Sequence, residues 1–197
     1  MSADASDTTP ARERILQTAA ELFYRDGYGA VGVDTVIAQA GVAKTTLYRH
    51  FPSKDELIVA YLKRANERFW AWFEEAIAGH EDPRAQLGAL FDAVAKLAAS
   101  PQCLGCTFQG AASEFPSHDH PGHRAARAHK QAVLERLREL AARAGAHDPE
   151  QLARELLLVM DGAFAAARMF GRRSPASVAP AAAAALLDAH LPSEGRR

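Results

Sequence analysis

The apolar residues of this chain recur with helical spacing in one segment after another, and no segment shows a clear strand pattern. In one such segment, Leu87, Leu90, Phe91 and Val94 follow the i, i+3, i+4, i+7 spacing of an amphipathic helix. The sequence therefore predicts an all-α fold. The predicted helices cover about residues 11–25, 33–41, 44–51, 54–78, 83–99, 106–115, 123–144, 149–170 and 176–190.

Residues 41–58 hold a turn, a short helix and the capped start of a longer helix. Gly41 suits a tight turn because glycine tolerates positive φ, and Pro52 cannot extend the helix before it. Ser53 and Glu56 have the spacing of a capping box, which predicts a new helix start. This arrangement is typical of a DNA-recognition element.

One face of the short helix is basic and hydroxylated. At 3.6 residues per turn, Lys44, Thr45, Tyr48 and Arg49 share that face, whereas Leu47 lies opposite. The formal net charge of the chain is only -1, which argues against a general affinity for polyanions. Residues 41–54 nevertheless contain three Lys or Arg side chains and no carboxylate, so the affinity for DNA is expected to be local.

A length of 197 residues suits one small module followed by a larger one. We predict a disordered tail over residues 1–9, a helix-turn-helix domain over 10–55, and a helical effector-binding and dimerisation domain over 56–192. No apolar run of about eighteen residues is present to span a bilayer, and residues 1–10 lack the pattern of a secretory signal. We therefore expect a cytoplasmic protein with no membrane partner.

The helix predicted over residues 149–170 differs from the others because its run from Leu156 to Met160 is apolar on every side. Such a helix needs burial on two faces, and small residues after the run, with a final alanine-rich helix, suit close packing by a second subunit. We predict a homodimer with a four-helix interface. The predicted interface residues are Leu156, Met160, Ala163, Ala167, Leu186 and Leu187.

Apolar side chains of the larger module are candidate walls of a ligand pocket. His129 lies on the apolar stripe of its helix, where it is either a polar group of the pocket or a satisfied core histidine. Glu114 stands in an otherwise apolar segment and meets either a cationic ligand group or an arginine. The candidate ligand-binding residues are Phe69, Phe73, Phe91, Phe108, Glu114, His129, Met160 and Phe164.

The first 60 or so residues resemble the DNA-binding domain of TetR-family transcriptional repressors. The resemblance rests on Ala40-Gly41-Val42, Lys44, Leu47-Tyr48, Phe51, Lys54 and Leu57, preceded by Ala19, Leu22, Phe23 and Gly27. It implies a three-helix DNA-binding domain followed by an all-helical domain for ligand binding and dimerisation. A dimer of this kind is expected to read a near-palindromic operator in double-stranded DNA, with recognition helices about 34 to 36 Å apart.

Three positions depart from the pattern of that family. Gly32 and Ala43 stand where hydroxyl caps are common, and Ile37 stands where alanine is usual. Nearby threonines are then left to make the phosphate contacts of the missing hydroxyls. We expect Arg49 to present its guanidinium fork to guanine, because arginine pairs bidentately with that base. The predicted DNA contacts are Thr35, Lys44, Thr45, Thr46, Tyr48, Arg49, His50 and Lys54.

These features predict a dimeric regulator, a repressor, in which a small and mainly apolar effector shifts DNA affinity. The effector is expected to change the separation of the recognition helices through the long fourth helix. Activation stays open as an alternative, because the sign of regulation depends on where the operator lies. We expect no cofactor.

Two other functions compete with this one. The CxxC pair Cys103 and Cys106, with His118 and His120, has the residue types of a zinc site, which would make a metal- or thiol-responsive regulator of the same fold. His123 lies close by in sequence. Free thiols and solvated histidines are the default in a reducing cytosol. No metal is therefore assigned.

The less favoured alternative is a small cysteine-dependent enzyme. Cys106, His129 and Glu114 supply a nucleophile, a base and an orienting carboxylate, but nothing in their spacing assembles the three. The sequence also lacks a phosphate-binding glycine loop and a nucleophile elbow. We expect a protein that is not an enzyme.

Overall fold

The computed structural model describes residues 10–192 as an all-helical chain, which confirms the predicted fold class. The disordered tail predicted over residues 1–9 lies outside the described part. Within residues 10–192 the α-helices are α1 (Ala11–Asp26), α2 (Val33–Ala40), α3 (Lys44–His50), α4 (Lys54–Ile77), α5 (Pro83–Ala98), α6 (Thr107–Glu114), α7 (Pro121–Arg143), α8 (Pro149–Phe170) and α9 (Ala179–His190). Two 3-10 turns, Gly171–Arg173 and Pro175–Val178, join α8 to α9.

The first three helices pack around a hydrophobic core of their own. The apolar stripe of α1 is buried, with Ile15, Ala19 and Phe23 facing Val36 of α2 and Leu47 of α3. A three-helix unit of this size buries little surface alone, and side chains from α4, α6 and α7 complete its core. This N-terminal unit is therefore packed against the rest of the chain rather than tethered to it.

The long helix α4 contributes to two cores. Ser53 caps it, because its Oγ accepts a hydrogen bond from the Glu56 amide at 3.1 Å. Near this end Leu57 and Leu62 are buried with α1–α3, whereas Phe73 and Ile77 are buried among α5, α7 and α8. Any displacement of α4 therefore moves side chains in both cores.

The larger core lies among α4, α5, α7, α8 and α9. Its centre is formed by fully buried side chains such as Leu90, Leu137 and Leu156, which come from three different helices. Asp82 and Asp148 cap α5 and α8 by accepting backbone hydrogen bonds at 2.9 and 3.0 Å, and each helix has a proline at its start. These local signals explain why the predicted starts of both helices agree with the structure.

Two helix starts differ from the prediction. α7 begins at Pro121, whereas the predicted start is near residue 123. The earlier start is explained by a cap, because Nδ1 of His120 accepts a hydrogen bond from the Gly122 amide at 3.1 Å. α9 begins at Ala179 rather than near residue 176. A helix from residue 176 would need an N–H from Pro180, which proline lacks, so the chain forms a 3-10 turn first.

Among the described residues, none of the helices combines the length and the apolar character that crossing a bilayer demands.

Candidate functional site

The turn between α2 and α3 depends on Gly41. Its backbone is left-handed, with φ 61° and ψ 40°, and the following Val42 amide donates to the Ile37 carbonyl at 3.3 Å. A residue with a Cβ atom is strained in that conformation. Gly41 therefore sets the angle at which α3 leaves α2.

The structure brings the predicted face of α3 together on the surface. Lys44, Thr45 and Arg49 are exposed and Tyr48 is 41% exposed, while Leu47 on the opposite side is fully buried. Burial of Leu47 fixes the rotation of α3, since the helix cannot turn without exposing it. The basic and hydroxylated face consequently points to solvent.

Both ends of this surface are held by neighbouring elements. Phe51, at the end of α3, is buried, and the Arg12 guanidinium of α1 lies 5.2 Å above its ring centroid. Gly32 and Ala43 make no side-chain cap, so the first amides of α2 and α3 have no capping acceptor among residues 10–192. The other predicted contacts sit around these helix ends: Thr35 is exposed, and Thr46, His50 and Lys54 are half-buried.

A carboxylate that sequence reasoning missed lies beside the surface. Asp34 Oδ1 of α2 is 3.2 Å from Lys44 Nζ, although the two residues are ten positions apart. Both side chains are largely exposed, and an exposed ion pair of this kind contributes less than about 1 kcal/mol. Lys44 can therefore exchange this partner for a phosphate at little cost.

A cavity of about 490 Å³ opens between α1, α4 and the start of α6. Three of the predicted ligand-binding residues line it: Phe69, Phe108 and Phe164. Its volume is in the range of small-molecule sites. Sequence reasoning missed Tyr24, Arg68 and Trp72, which also line the cavity.

Three other predicted ligand-binding residues do not line this cavity. Phe73, Phe91 and Met160 are fully buried in the core of the larger module. Their helical spacing is the same for a core position and for a pocket wall, so the sequence could not separate the two. The structure corrects them to core residues.

His129 is a core histidine next to a second, smaller cavity of about 260 Å³. Its ring stacks on Phe108 at 3.6 Å and meets the edge of Phe69 at 4.7 Å between centroids. Nδ1 lies 2.8 Å from Asn66 Oδ1, which fits a neutral ring donating through Nδ1. Burial lowers the pKa of His129 to about 3.

We expect His129 to make folding stability depend on pH. Its folded pKa lies below the unfolded value of 6.5, so its contribution is complete above pH 6.5 and is lost as the pH falls toward 3. At pH 5 the loss is about 2 kcal/mol. Urea unfolding at pH 7 and pH 5 checks this, because His129→Gln should lose less stability over the interval than the unchanged chain. Equal losses in both proteins would contradict a neutral, buried His129.

Glu114 is not a ligand contact: the structure corrects it to a clamp between two parts of the chain. Its Oε1 accepts from the Tyr28 amide at 3.1 Å and its Oε2 from the Gly29 amide at 2.6 Å. A Cβ atom on Gly27, which has φ +91°, would lie 2.8 Å from Oε1. The loop after α1 is therefore shaped to receive this carboxylate from the end of α6.

Two tyrosines of the DNA-binding unit hold the start of α6. The Tyr24 hydroxyl accepts from the Leu104 amide at 2.8 Å and donates to the Gly105 carbonyl at 3.1 Å. The Tyr28 hydroxyl donates to the Thr107 carbonyl at 2.9 Å. With the Glu114 clamp, these bonds fasten both ends of residues 104–114 to α1 and the loop after it.

The structure does not assemble the metal alternative. Residues 10–192 contain no group of three or more His, Cys, Asp and Glu side chains placed to hold a metal ion. Cys103 is buried, and Cys106 lies beside the cavity at the start of α6. His118 instead faces His123, and His120 stacks on Phe115.

The enzyme alternative fails on geometry as well. Both carboxylate oxygens of Glu114 bond to backbone amides, and Nδ1 of His129 bonds to Asn66. Cys106 has neither residue as a hydrogen-bond partner. The three groups proposed as nucleophile, base and orienter therefore serve separate structural roles.

Most of the predicted dimer-interface residues lie inside the single chain. Leu156, Met160, Ala163, Ala167 and Leu187 are buried in the larger core, and Leu186 is half-buried against it. Side chains that face their own core cannot form the surface between two subunits, so the structure reassigns them. The exposed stripe of α8 consists instead of Leu158, Gly162, Ala165 and Met169.

Comparison with known proteins agrees with the fold. Residues 15–61 match the family model described as bacterial regulatory proteins, tetR family. Residues 83–183 match the model of a tetracyclin repressor-like C-terminal domain. The chain belongs to the TetR family of helix-turn-helix transcriptional regulators, which are DNA-binding proteins.

Individual relatives support the same assignment. SCO4454, a TetR-family transcriptional regulator from Streptomyces coelicolor, has 36% identity and a TM-score of 0.87, covering 91% of this chain and 95% of its own. A putative TetR-transcriptional regulator (sav143) from Streptomyces avermitilis has 37% identity and a TM-score of 0.82, covering 92% and 98%.

A curated relative is similar over a shorter stretch. The HTH-type transcriptional activator FasR of Mycolicibacterium smegmatis is 38% identical over 82 residues, which is 42% of this chain and 37% of FasR. The chain thus matches little more than a third of the length of that relative.

Proposed function

We propose that this protein is a dimeric, ligand-responsive transcriptional regulator, acting in the cytoplasm as a repressor whose affinity for its operator is shifted when an effector binds. The observation that carries the proposal is the exposed, basic and hydroxylated face of α3, fixed in orientation by the burial of Leu47. A relative named as an activator is similar over 42% of this chain, so repression rests on the position of the operator rather than on the fold.

The proposed reading of DNA places α3 in the major groove. Arg49 would donate two hydrogen bonds to a guanine, and Thr45 would contact a thymine methyl group. Lys44 would contact guanine or a phosphate. Phosphates would be held at the helix ends, which fixes the orientation of the domain but carries no sequence information. The proposed phosphate contacts are Thr35, Thr46, Tyr48, His50 and Lys54.

The proposed dimer forms through the exposed stripe of α8. Leu158 and Met169 lie on the same face of α8 and are 71% and 76% exposed. Such exposure is unusual for large apolar side chains that share one face of a helix. Between them Gly162 and Ala165 leave room for a second helix. An adjoining groove, lined by Ala166 and other small residues of α8 and α9, has a volume of about 180 Å³ and would accept an apolar side chain of the partner.

The proposed effector site is the 490 Å³ cavity. A ligand there would touch Tyr24 of α1 and residues 105–108, the segment that Glu114 and Tyr28 tie to the loop after α1. Displacement of α6 would then shift the DNA-binding unit. A hundredfold change in DNA affinity needs about 2.7 kcal/mol of differential binding, which a buried aromatic ligand can supply.

A salt titration tests the DNA-binding part of the proposal. The purified protein should retard a labelled fragment of the DNA upstream of its own gene, and the affinity should fall steeply as salt concentration rises. If the affinity falls by about 10³-fold or more between about 50 and 200 mM salt, the protein makes roughly six or more phosphate contacts. Failure to retard that fragment, or any other promoter fragment, would refute the proposed function.

The Glu114 clamp gives a separate prediction. Glu114→Ala leaves the Tyr28 and Gly29 amides without their carboxylate acceptor. Because Glu114 is itself exposed, we expect the free energy of unfolding to fall by about 2 kcal/mol, which is near the lower end of the range for hydrogen bonds to charged groups. The melting temperature should fall by about 4 to 8 °C. Glu114→Gln keeps one acceptor oxygen and should lose roughly half as much. An Ala variant as stable as the unchanged chain would show that the clamp contributes nothing.

A further inference from the structure

The cavity between α1, α4 and α6 has a charge pattern that narrows the chemistry of its ligand, and this inference rests on the proposed effector site. We infer that the cavity binds an apolar organic anion, an aromatic or aliphatic carboxylate, whose carboxylate is held by Arg68. The apolar body of the ligand would lie between the aromatic walls. A neutral or cationic ligand would not satisfy the same set of groups.

The walls of the cavity are suited to an apolar body of drug-like size. Phe69, Trp72, Phe108 and Phe164 line it from α4, α6 and α8, and the volume is about 490 Å³. Aromatic side chains provide large contact areas and accept the edge or face of a ring. The cavity therefore favours a ligand that buries substantial apolar surface.

Most polar groups in the walls already have partners. The Tyr24 hydroxyl is used by Leu104 and Gly105, and the Tyr61 hydroxyl lies 2.7 Å from Thr107 Oγ1. A neutral ligand rich in hydrogen-bonding groups would thus find few free partners among these hydroxyls.

Two of the three cationic side chains in the lining are also paired. Arg64 forms an ion pair with Glu13, and Lys130 forms one with Asp161. Arg68, by contrast, has no hydrogen-bond or ion-pair partner for its guanidinium among residues 10–192. Among the charged side chains of the lining, Arg68 is the one whose donors have no partner within residues 10–192.

The cation that is left without a carboxylate selects the sign of the ligand. The charges of Arg64 and Lys130 are offset by Glu13 and Asp161, and the carboxylate of the lining, Glu21, accepts a hydrogen bond from Gln17 at 2.7 Å. A cationic ligand beside Arg68 would meet repulsion from its guanidinium. A carboxylate instead can form two parallel hydrogen bonds with the planar guanidinium of Arg68, which is itself exposed.

Paired charged and neutral probes test the inference by calorimetric titration of the full chain. The probes are naphthalene-2-carboxylate against naphthalene-2-carboxamide, and dodecanoate against dodecanol. We expect at least one carboxylate to bind 10-fold or more tightly than its neutral partner. Arg68→Ala should reduce that ratio to about 1, and Arg68→Lys should leave an intermediate ratio, because a lysine keeps the charge but not the planar fork.

Two further variants locate the site. Ala65→Trp fills the cavity and should abolish binding of all four probes, whereas Arg138→Ala, on α7 outside the lining, should leave the ratio unchanged. Equal affinities within each pair, no binding of any probe, or a ratio that survives Arg68→Ala would each overturn the inference. DNA binding measured on the same samples separates the two proposals: a protein that retards DNA but shows no anion preference refutes only the ligand class.

Discussion

Replacing Arg49 by alanine should weaken operator binding by roughly 30-fold to 20,000-fold. One base contact contributes about 1 to 3 kcal/mol of discrimination, and a dimer loses one in each half-site, so the expected cost is about 2 to 6 kcal/mol. Arg49 is exposed on α3, and within residues 10–192 it has no hydrogen-bond or ion-pair partner that its loss would disturb. The measurement is a gel-shift titration at fixed salt, with operator variants substituted at each position.

The pattern of loss matters as much as its size. Arg49→Ala should become indifferent to the base at one position of each half-site, because the contact that reads it is gone. Arg138→Ala is the matched control, since Arg138 is ion-paired with Glu135 on α7 and lies away from α3. If Arg49→Ala kept both the affinity and the selectivity of the unchanged protein, the assignment of Arg49 to a base would be wrong.

Replacing Leu158 by glutamate should convert the dimer to monomers and weaken operator binding by about 100-fold or more. Leu158 is 71% exposed in the single chain, so the substitution should leave folding intact. In a dimer it would force a carboxylate into an apolar interface, where an unpaired charge is strongly unfavourable. A monomer contacts a single half-site. It therefore loses the gain in affinity, about 10²-fold to 10⁴-fold, that comes from linking two binding events in one molecule.

Sedimentation velocity and gel shift on the same samples check this expectation. Ala142→Glu, an exposed position on α7, introduces the same charge away from the stripe and should stay dimeric. Circular dichroism should show the same helical content in both variants. A Leu158→Glu protein that sediments as a dimer would place the subunit interface elsewhere on the surface.

Features that depend on neighbours in sequence could be predicted well. The helix starts at Ser53, Asp82 and Asp148 follow from side chains that bond to amides three residues later. The exposed face of α3 follows from helical periodicity, and the turn from the conformational freedom of Gly41. For the same reason this face could be predicted without knowledge of the rest of the fold.

Contacts between distant parts of the chain could not be predicted from the sequence. Glu114 reaches the Tyr28 amide across 86 positions, and the sequence offers no local signal for such a partner. The role of His129 was ambiguous for a similar reason, since Phe69 and Asn66 come from another helix. Asp34 lies next to Lys44 only because the turn at Gly41 folds α2 against α3.

The orientation of α8 illustrates a different limit. Its run from Leu156 to Met160 is apolar throughout, so helical periodicity gives no preferred inward face. The structure buries Leu156 and Met160 and exposes Leu158, which only the packing of α5, α7 and α9 decides. Burial on two faces remains the reason to propose a second subunit, but different residues supply the outer face.

Selection of binding sites from a random double-stranded DNA library tests the central claim most directly, because it assumes no operator. A dimer that places two copies of α3 in successive major grooves should enrich a near-palindrome whose half-sites lie about 10 base pairs apart, centre to centre, or a multiple of that spacing. Arg49→Ala should lose one base preference in each half. Enrichment of no sequence, or of a single asymmetric site, would contradict the proposal that the α3 helices of two subunits bind successive major grooves.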